Sequence, residues 1–274
     1  GLSSLDGFTA DDSEVIASII ATWGPKICVL ITSLAMGLTS SMIPHMVDCF
    51  VKNDRNGVNR RFNQAVGTIL VLAVPMAVGM CLMSHPLYYV FYGESRFGPT
   101  LMRVLPFLRI FESISMVASM CLQSIGLAKV VCFTSVTGLL INAACDVPFI
   151  YLCNAIGLPA YWGAGFSSML GYTVSIAAVL ILLKKKYGLK YMSLLNTLLK
   201  VIMGLIPMIA VVLILMNVLP FTGGRLIQFI LMAVVAVAGA VVYGIVTYKN
   251  KAIRDVFGDD FLRKILVKLH LKKA

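Results

Sequence analysis

Three observations on this 274-residue sequence predict an all-α, polytopic membrane protein of seven transmembrane helices. Hydrophobic residues make up 59% of the chain and charged residues only 13%, against roughly 45–50% and about 25% in soluble domains. The apolar residues gather into seven runs, each long enough at ~1.5 Å per residue to cross about 30 Å of hydrocarbon. Those runs are continuous rather than alternating, as helices and not barrel strands require. Soluble globular, disordered and collagen-like classes are excluded, and the net charge of +11 becomes information about orientation rather than about nucleic acid.

The elements follow in chain order. An acidic lead carrying Asp6, Asp11, Asp12 and Glu14 opens the chain. Ser13 is expected to cap a helix that is interrupted near Trp23, Gly24 and Pro25 and continues into the first span. The spans are expected at 27–50, 62–92, 99–125, 130–154, 160–183, 194–219 and 226–248. Pro75, Pro106, Pro148 and Pro207 fall inside them, a pattern that suits a bundle built to bend. The expected organisation is an external lead and helix start over 1–26, a membrane domain over 27–248, and a cytosolic tail over 249–274. In the tail, Phe261, Leu262, Ile265, Leu266 and Leu269 share one helical face with Arg263, Lys264 and Lys268 elsewhere, the pattern of a basic amphipathic helix on an anionic leaflet.

Seven crossings place the connections alternately on two sides, and Lys and Arg divide between them unevenly. One side holds Lys52, Arg55, Arg60, Arg61, Lys129, Lys184, Lys185, Lys186, Lys190, Lys200 and the eight cations after Tyr248, a total of 18; the other holds Arg96, Arg103 and Arg225. The positive-inside bias then puts the N-terminus outside and the C-terminus in the cytosol of a plasma or inner membrane. The first residue is Gly1 and no signal peptide precedes it, so an external start leads us to expect an odd number of spans upstream.

Ionisable groups within spans are costly and point to function. Lys26 follows Pro25; Arg109 and Glu112 stand three residues apart, within pairing reach on one helix face; Asn142 and Asp146 share a face one turn apart, beside Pro148. Arg109 and Glu112 can neutralise each other as packing glue, and Lys26 can snorkel to the headgroups. Alternatively these groups face a water-filled cavity, the cations holding an anionic head group and the carboxylates a cation or proton. The seven cysteines lie in apolar runs with no paired spacing and read as small buried hydrophobes, neither a metal site nor a disulfide framework. No nucleophile elbow, zinc-protease helix, Walker loop or dinucleotide fingerprint is present, so no enzyme, cofactor or metal is expected, and transport would run on an ion gradient, the membrane potential or the substrate's own gradient.

The stretch 38–44 (LTSSMIP), followed by Lys52 to Asp54 and the basic entry Arg60, Arg61, Phe62, Asn63, Gln64 and Ala65, resembles the polysaccharide-biosynthesis flippases of the multidrug/oligosaccharidyl-lipid/polysaccharide (MOP) exporter superfamily. The stretch 142–150 (NAACDVPFI), with Gly157 and the Trp162, Gly163, Ala164 and Gly165 run, resembles the same superfamily, and two further spans with a basic tail favour the branch of MurJ, YtgP and stage V sporulation protein B. The resemblance implies about fourteen spans in two lobes, with this chain matching the eighth to fourteenth and an N-terminal lobe missing. It also implies a lipid-linked sugar pyrophosphate, a lipid II-like cell-wall precursor, as substrate, and basic cavity residues for which Lys26 and Arg109 are the candidates here. Glu112 departs from that helix's usual apolar character. A drug/cation antiporter of the MATE branch using Asp146 is the nearest rival. A seven-span receptor shares the architecture, yet the third span ends on Gln123, Ser124, Ile125 and Gly126 rather than an acidic-Arg-Tyr triad. A non-transporting scaffold is the remaining alternative.

Overall fold

The structure, a computed structural model, describes residues 8–190, 192–221 and 223–257. The amphipathic segment expected over 259–269 lies outside the described residues. Seven helices are long and apolar enough to cross a membrane by length and composition, and no strand occurs among the described residues. The order is α1 (Ala10–Ser18), a π-helical turn (Ile19–Trp23), α2 (Gly24–Val51), α3 (Arg55–Leu82), α4 (Ser84–Tyr92), α5 (Gly98–Leu101), α6 (Leu105–Ser124), α7 (Ala128–Ala155), α8 (Trp162–Tyr187), α9 (Met192–Val218), α10 (Arg225–Lys249) and α11 (Ala252–Phe257).

The first helix corrects two expectations. Its cap is Thr9, not Ser13: the Thr9 hydroxyl accepts from the Asp12 amide at 3.1 Å, while the Asp12 carboxylate accepts from the Thr9 amide at 3.0 Å, a reciprocal capping box. Ser13 instead donates to the Thr9 carbonyl at 3.2 Å. The chain is not broken at Gly24 and Pro25 either. The π turn before them widens the helix by one residue, with the Gly24 amide reaching the Ile19 carbonyl, and helix runs from Ala10 to Val51. A wider turn absorbs the ring and the missing donor of Pro25 without a stop.

Two further boundaries shift for stated reasons. The expected second span divides at Met83 into α3 and α4, just ahead of Pro86, whose ring opposes helical continuity with the preceding turn. The third begins with the single turn of α5 and restarts at Leu105, so Pro106 lies within the span Leu105–Ser124 but in the first turn of α6, where its absent N–H is harmless. Pro75, Pro148 and Pro207 are interior as expected, and Pro44 joins them.

Two clusters of buried side chains hold the bundle. One joins α2, α3, α6 and α8 through residues such as Ile31, Phe62, Ala73, Val117, Leu122 and Leu183; the other joins α3 to α9, α10, α4 and the start of α6 through Val71, Tyr88, Leu105, Val201, Met208 and Val235. Different faces of α3 therefore serve both, and α3 is the shared spine. Outward, α7, α9 and α10 expose Phe133, Leu139, Ile206, Ile214, Val237 and Val241, side chains that hydrocarbon accommodates and water does not. Cys28, Cys121 and Cys153 are buried as expected, but Cys132 is exposed because it projects from that outer face of α7.

At the basic end, the α2–α3 turn is pinned by Asp54, whose carboxylate accepts from the Gly57 amide at 2.9 Å. Asp48 pairs with Lys52 at 2.8 Å, and that hydrogen bond and charge hold the Lys52 ammonium above the usual lysine range. Asn59 and Asn63 donate to the carbonyls of Tyr187 and Lys190, each at 3.0 Å, fastening α3 to the α8–α9 connection.

Candidate functional site

The tightest helix pair, α7 with α8, creates the site. A Cβ added at Gly138 would lie 2.7 Å from the Gly171 carbonyl oxygen, and one at Gly171 would lie 2.6 Å from that of Gly138. Farther along, a Cβ at Gly163 would stand 2.4 Å from the Ile150 nitrogen. With backbones this close, side chains as short as serine reach the neighbouring helix.

They do so around Asn142 and Asp146, which the one-turn spacing places on the face of α7 turned to α8. Ser167 Oγ lies 2.9 Å from Asn142 Oδ1, 2.9 Å from Asp146 Oδ1 and 3.0 Å from the Ala164 carbonyl; Ser168 Oγ lies 3.3 Å from Asn142 Oδ1 and 2.9 Å from the same carbonyl. A hydroxyl carries one hydrogen, so Ser167 donates to one of three acceptors and leaves the others as oxygens converging on one spot. Such a set, with one carboxylate, one amide and two hydroxyls, suits a monovalent cation or a proton. It lacks the imidazole and thiolate donors of transition-metal sites, and no cluster of three His, Cys, Asp or Glu occurs among the described residues.

Beside this cluster lies a cleft of 450 Å³ between the π turn, α6, α7 and α8. Ile20 enters from the π turn, Arg109 and Ser115 from α6, Asn142 from α7, and Ser168 and Tyr172 from α8. Asn142 thus belongs to both the cleft and the hydroxyl cluster. Arg109 Nη1 donates to Glu112 Oε2 at 2.5 Å, with both side chains largely withdrawn from the surface. Arg109 Nε and Ser113 Oγ are buried without a hydrogen-bond partner among the described residues. Arg109 lines the cleft and its guanidinium carries more N–H donors than Glu112 takes up, so an anion entering the cleft finds a charged donor there.

Four of the five residues singled out from sequence, Arg109, Glu112, Asn142 and Asp146, come together in this way. Lys26 does not. It is exposed while Ile27 and Cys28 are buried, and two residues of helix turn it about 200° away from Cys28. The exposed face of α2 carries Lys26, Leu30, Ser33, Gly37, Ser40, Pro44 and Asp48 in three- and four-residue steps. Sequence reasoning passed over Ser167, Ser168, Tyr172 and the Gly138 and Gly171 contact. Their signal was the three- and four-residue spacing of small and polar residues along α8, Ala164, Ser168, Gly171 and Ser175, matching Gly138, Asn142 and Asp146 on α7.

Comparison with known proteins draws on the same residues. The family model MatE matches residues 13–147, a stretch that contains Lys26, Arg109, Glu112, Asn142 and Asp146. The chain is 28% identical over 254 residues to the lipid II flippase MurJ of Bacillus subtilis (strain 168), a match covering 90% of this chain and 46% of that protein. The chain is similar to MurJ-type flippases of the MOP superfamily. It spans about half the length of that MurJ, and together with the seven apolar helices the matches support a multi-pass membrane protein.

Proposed function

We propose that the chain forms part of a flippase that moves a lipid-linked sugar pyrophosphate, of the lipid II kind, across the plasma membrane by alternating access. The observation that carries this reading is Arg109, paired with Glu112, lining a cleft that also takes in Ser115, Asn142, Ser168 and Tyr172 inside an otherwise apolar bundle. The pair is neutral overall, so a pyrophosphate competes with Glu112 for the guanidinium. Glu112 then acts as a resident counter-ion, holding Arg109 in place while the cleft is empty and reclaiming it on release. The neighbouring cluster of Asn142, Asp146, Ser167 and Ser168 takes the coupling cation or proton. Because Asn142 belongs to both, occupancy of one shifts the hydrogen bonds of the other.

The remaining parts of the reading follow. The seven spans supply one wall of the transport path, and the wall opposite belongs to the portion of such a transporter that this chain does not cover, an N-terminal lobe. The exposed face of α2 that carries Lys26, Ser33, Ser40 and Asp48 among apolar neighbours turns toward that path. The 18 to 3 cation division supports a cytosolic side for the α2–α3 turn, the end of α8 and α11, against anionic lipid.

Translocation measured in cells or vesicles with the full-length protein tests this. Arg109→Ala should abolish flipping of the lipid-linked precursor, while Glu112→Gln should retain binding and slow turnover. Wild-type flipping by both Arg109→Ala and Lys26→Ala sinks the assignment. Sodium- or proton-dependent drug efflux lost on Asp146→Asn would favour the antiporter instead.

A further inference from the structure

Pro75 lies in the interior of α3, the spine shared by both buried clusters. A proline there has no N–H to give the carbonyl four residues earlier, and that carbonyl belongs to Val71. In a membrane interior no water replaces the lost donor. The replacement is Tyr243 of α10, whose buried hydroxyl donates to the Val71 carbonyl at 2.8 Å. The ring is seated by Gly204 of α9, where a Cβ would come within 3.0 Å of the ring and 2.8 Å of Thr247 Cγ2.

The same two helices are tied to α3 a second time, at the basic end. Lys200 of α9 pairs with Asp255 of α11, and Asn250 donates to the Lys200 carbonyl at 2.8 Å while its own side-chain oxygen accepts from the Ala252 amide at 3.0 Å. Ala252 and Val256 are buried, and a Cβ at Gly67 of α3 would lie 3.1 Å from Val256 Cγ2. From the Tyr243 tie toward Leu87 runs an apolar groove of 740 Å³, bordered by Val71 and Pro75 of α3, Met208 of α9 and Tyr243 of α10, with Ile253 of α11 at its basic end.

We propose that Tyr243 and the α11 strap form a two-point clasp by which the α9–α10 hairpin sets the bend of α3 at Pro75, and with it the width of this groove. Tyr243 is a positioning residue: it acts on α3 by satisfying the carbonyl that Pro75 orphans, and the strap fixes the half of α3 on the basic side of that point. The inference makes no use of the transported molecule, so its failure and that of the flippase reading are distinguishable.

The test places spin labels at Arg60→Cys and His85→Cys, on either side of Pro75, in the protein reconstituted in lipid with Cys49, Cys81, Cys132 and Cys145 changed to Ser. Tyr243→Phe, which removes one oxygen and keeps the ring, should broaden or shift the distance distribution between the labels. Pro75→Ala supplies Val71 with a backbone donor, so in that background Tyr243→Phe should change nothing. Asp255→Asn should speed amide exchange over Ala252 to Phe257 about two- to fivefold, the scale of a part-exposed ion pair, and broaden the distribution further when added to Tyr243→Phe. An unchanged distribution in Tyr243→Phe overturns the proposal, as does an equal effect of that substitution with and without Pro75. Unchanged exchange and distances in Asp255→Asn remove the strap from the clasp.

Discussion

The carbonyl oxygens of Gly138 and Gly171 each occupy the place where the other residue's Cβ would stand, at 2.7 and 2.6 Å. This contact decides whether α7 and α8 lie close enough for serine to bridge them. Gly138→Ala or Gly171→Ala must push the backbones apart, at a cost of about 1–3 kcal/mol by the scale of overpacked contacts. Gly37→Ala is the control, since a Cβ there meets nothing within 4 Å and alanine favours helix. Denaturation in mixed micelles should show the first two destabilised and the third unchanged or slightly stabilised.

Arg109 and Glu112 form a second testable unit. Removing either alone leaves a part-buried charge without its partner, whereas removing both leaves none. Arg109→Ala and Glu112→Ala should each destabilise more than the double variant does, with a coupling of about 1–3 kcal/mol in a double-mutant cycle. Additive losses would show that the pair is not a unit.

The hydroxyl cluster makes a prediction about ions. If Asp146 closes a cation site with Asn142 and the two serines, the thermal midpoint of the protein should rise with the concentration of the bound ion, as linkage requires. Asp146→Asn and Ser167→Ala should flatten that dependence, and choline should not substitute for sodium. A midpoint independent of sodium, potassium and pH in the unaltered chain would leave the cluster with packing alone.

Cysteine chemistry checks the packing directly. Cys132 is exposed, whereas Cys28, Cys121 and Cys153 are buried. A membrane-permeant maleimide should label Cys132 in the folded protein and reach the buried three only after denaturation. For orientation, a cysteine-depleted chain carrying Lys185→Cys should react with an impermeant maleimide from the cytosolic side, and one carrying Glu94→Cys from the opposite side. The reverse result would invert the proposed topology.

Composition and continuous apolar runs made the number and type of helices readable, because crossing hydrocarbon demands length and self-satisfied backbone. Spacing alone also paired Arg109 with Glu112 and set Asn142 beside Asp146, since three and four residues share a helix face. Distances between helices were not readable in that way. Nothing local to Ser167 distinguishes a bridging hydroxyl from one that folds back on its own helix, and only the Gly138 and Gly171 approach decides it. The expected cap at Ser13 failed for a similar reason, because Thr9 is as good a cap residue and the outcome rests on Asp12 reaching back to the Thr9 amide. Lys26 illustrates the converse: its charge was legible, but its direction depends on which face of α2 the neighbouring helices cover.

The π turn over Ile19–Trp23 is in effect a one-residue insertion in a helix that otherwise runs from Ala10 to Val51. Deleting that extra residue would restore ordinary α-helical bonding and leave the helix on either side in phase, because the wide turn holds the residue within a single turn. Ile16, now 1% exposed, would stay in the core, and what would be lost is the bulge from which Ile20 enters the cleft. A gain in local regularity would thus reshape one wall of the cleft without turning the helix that carries it.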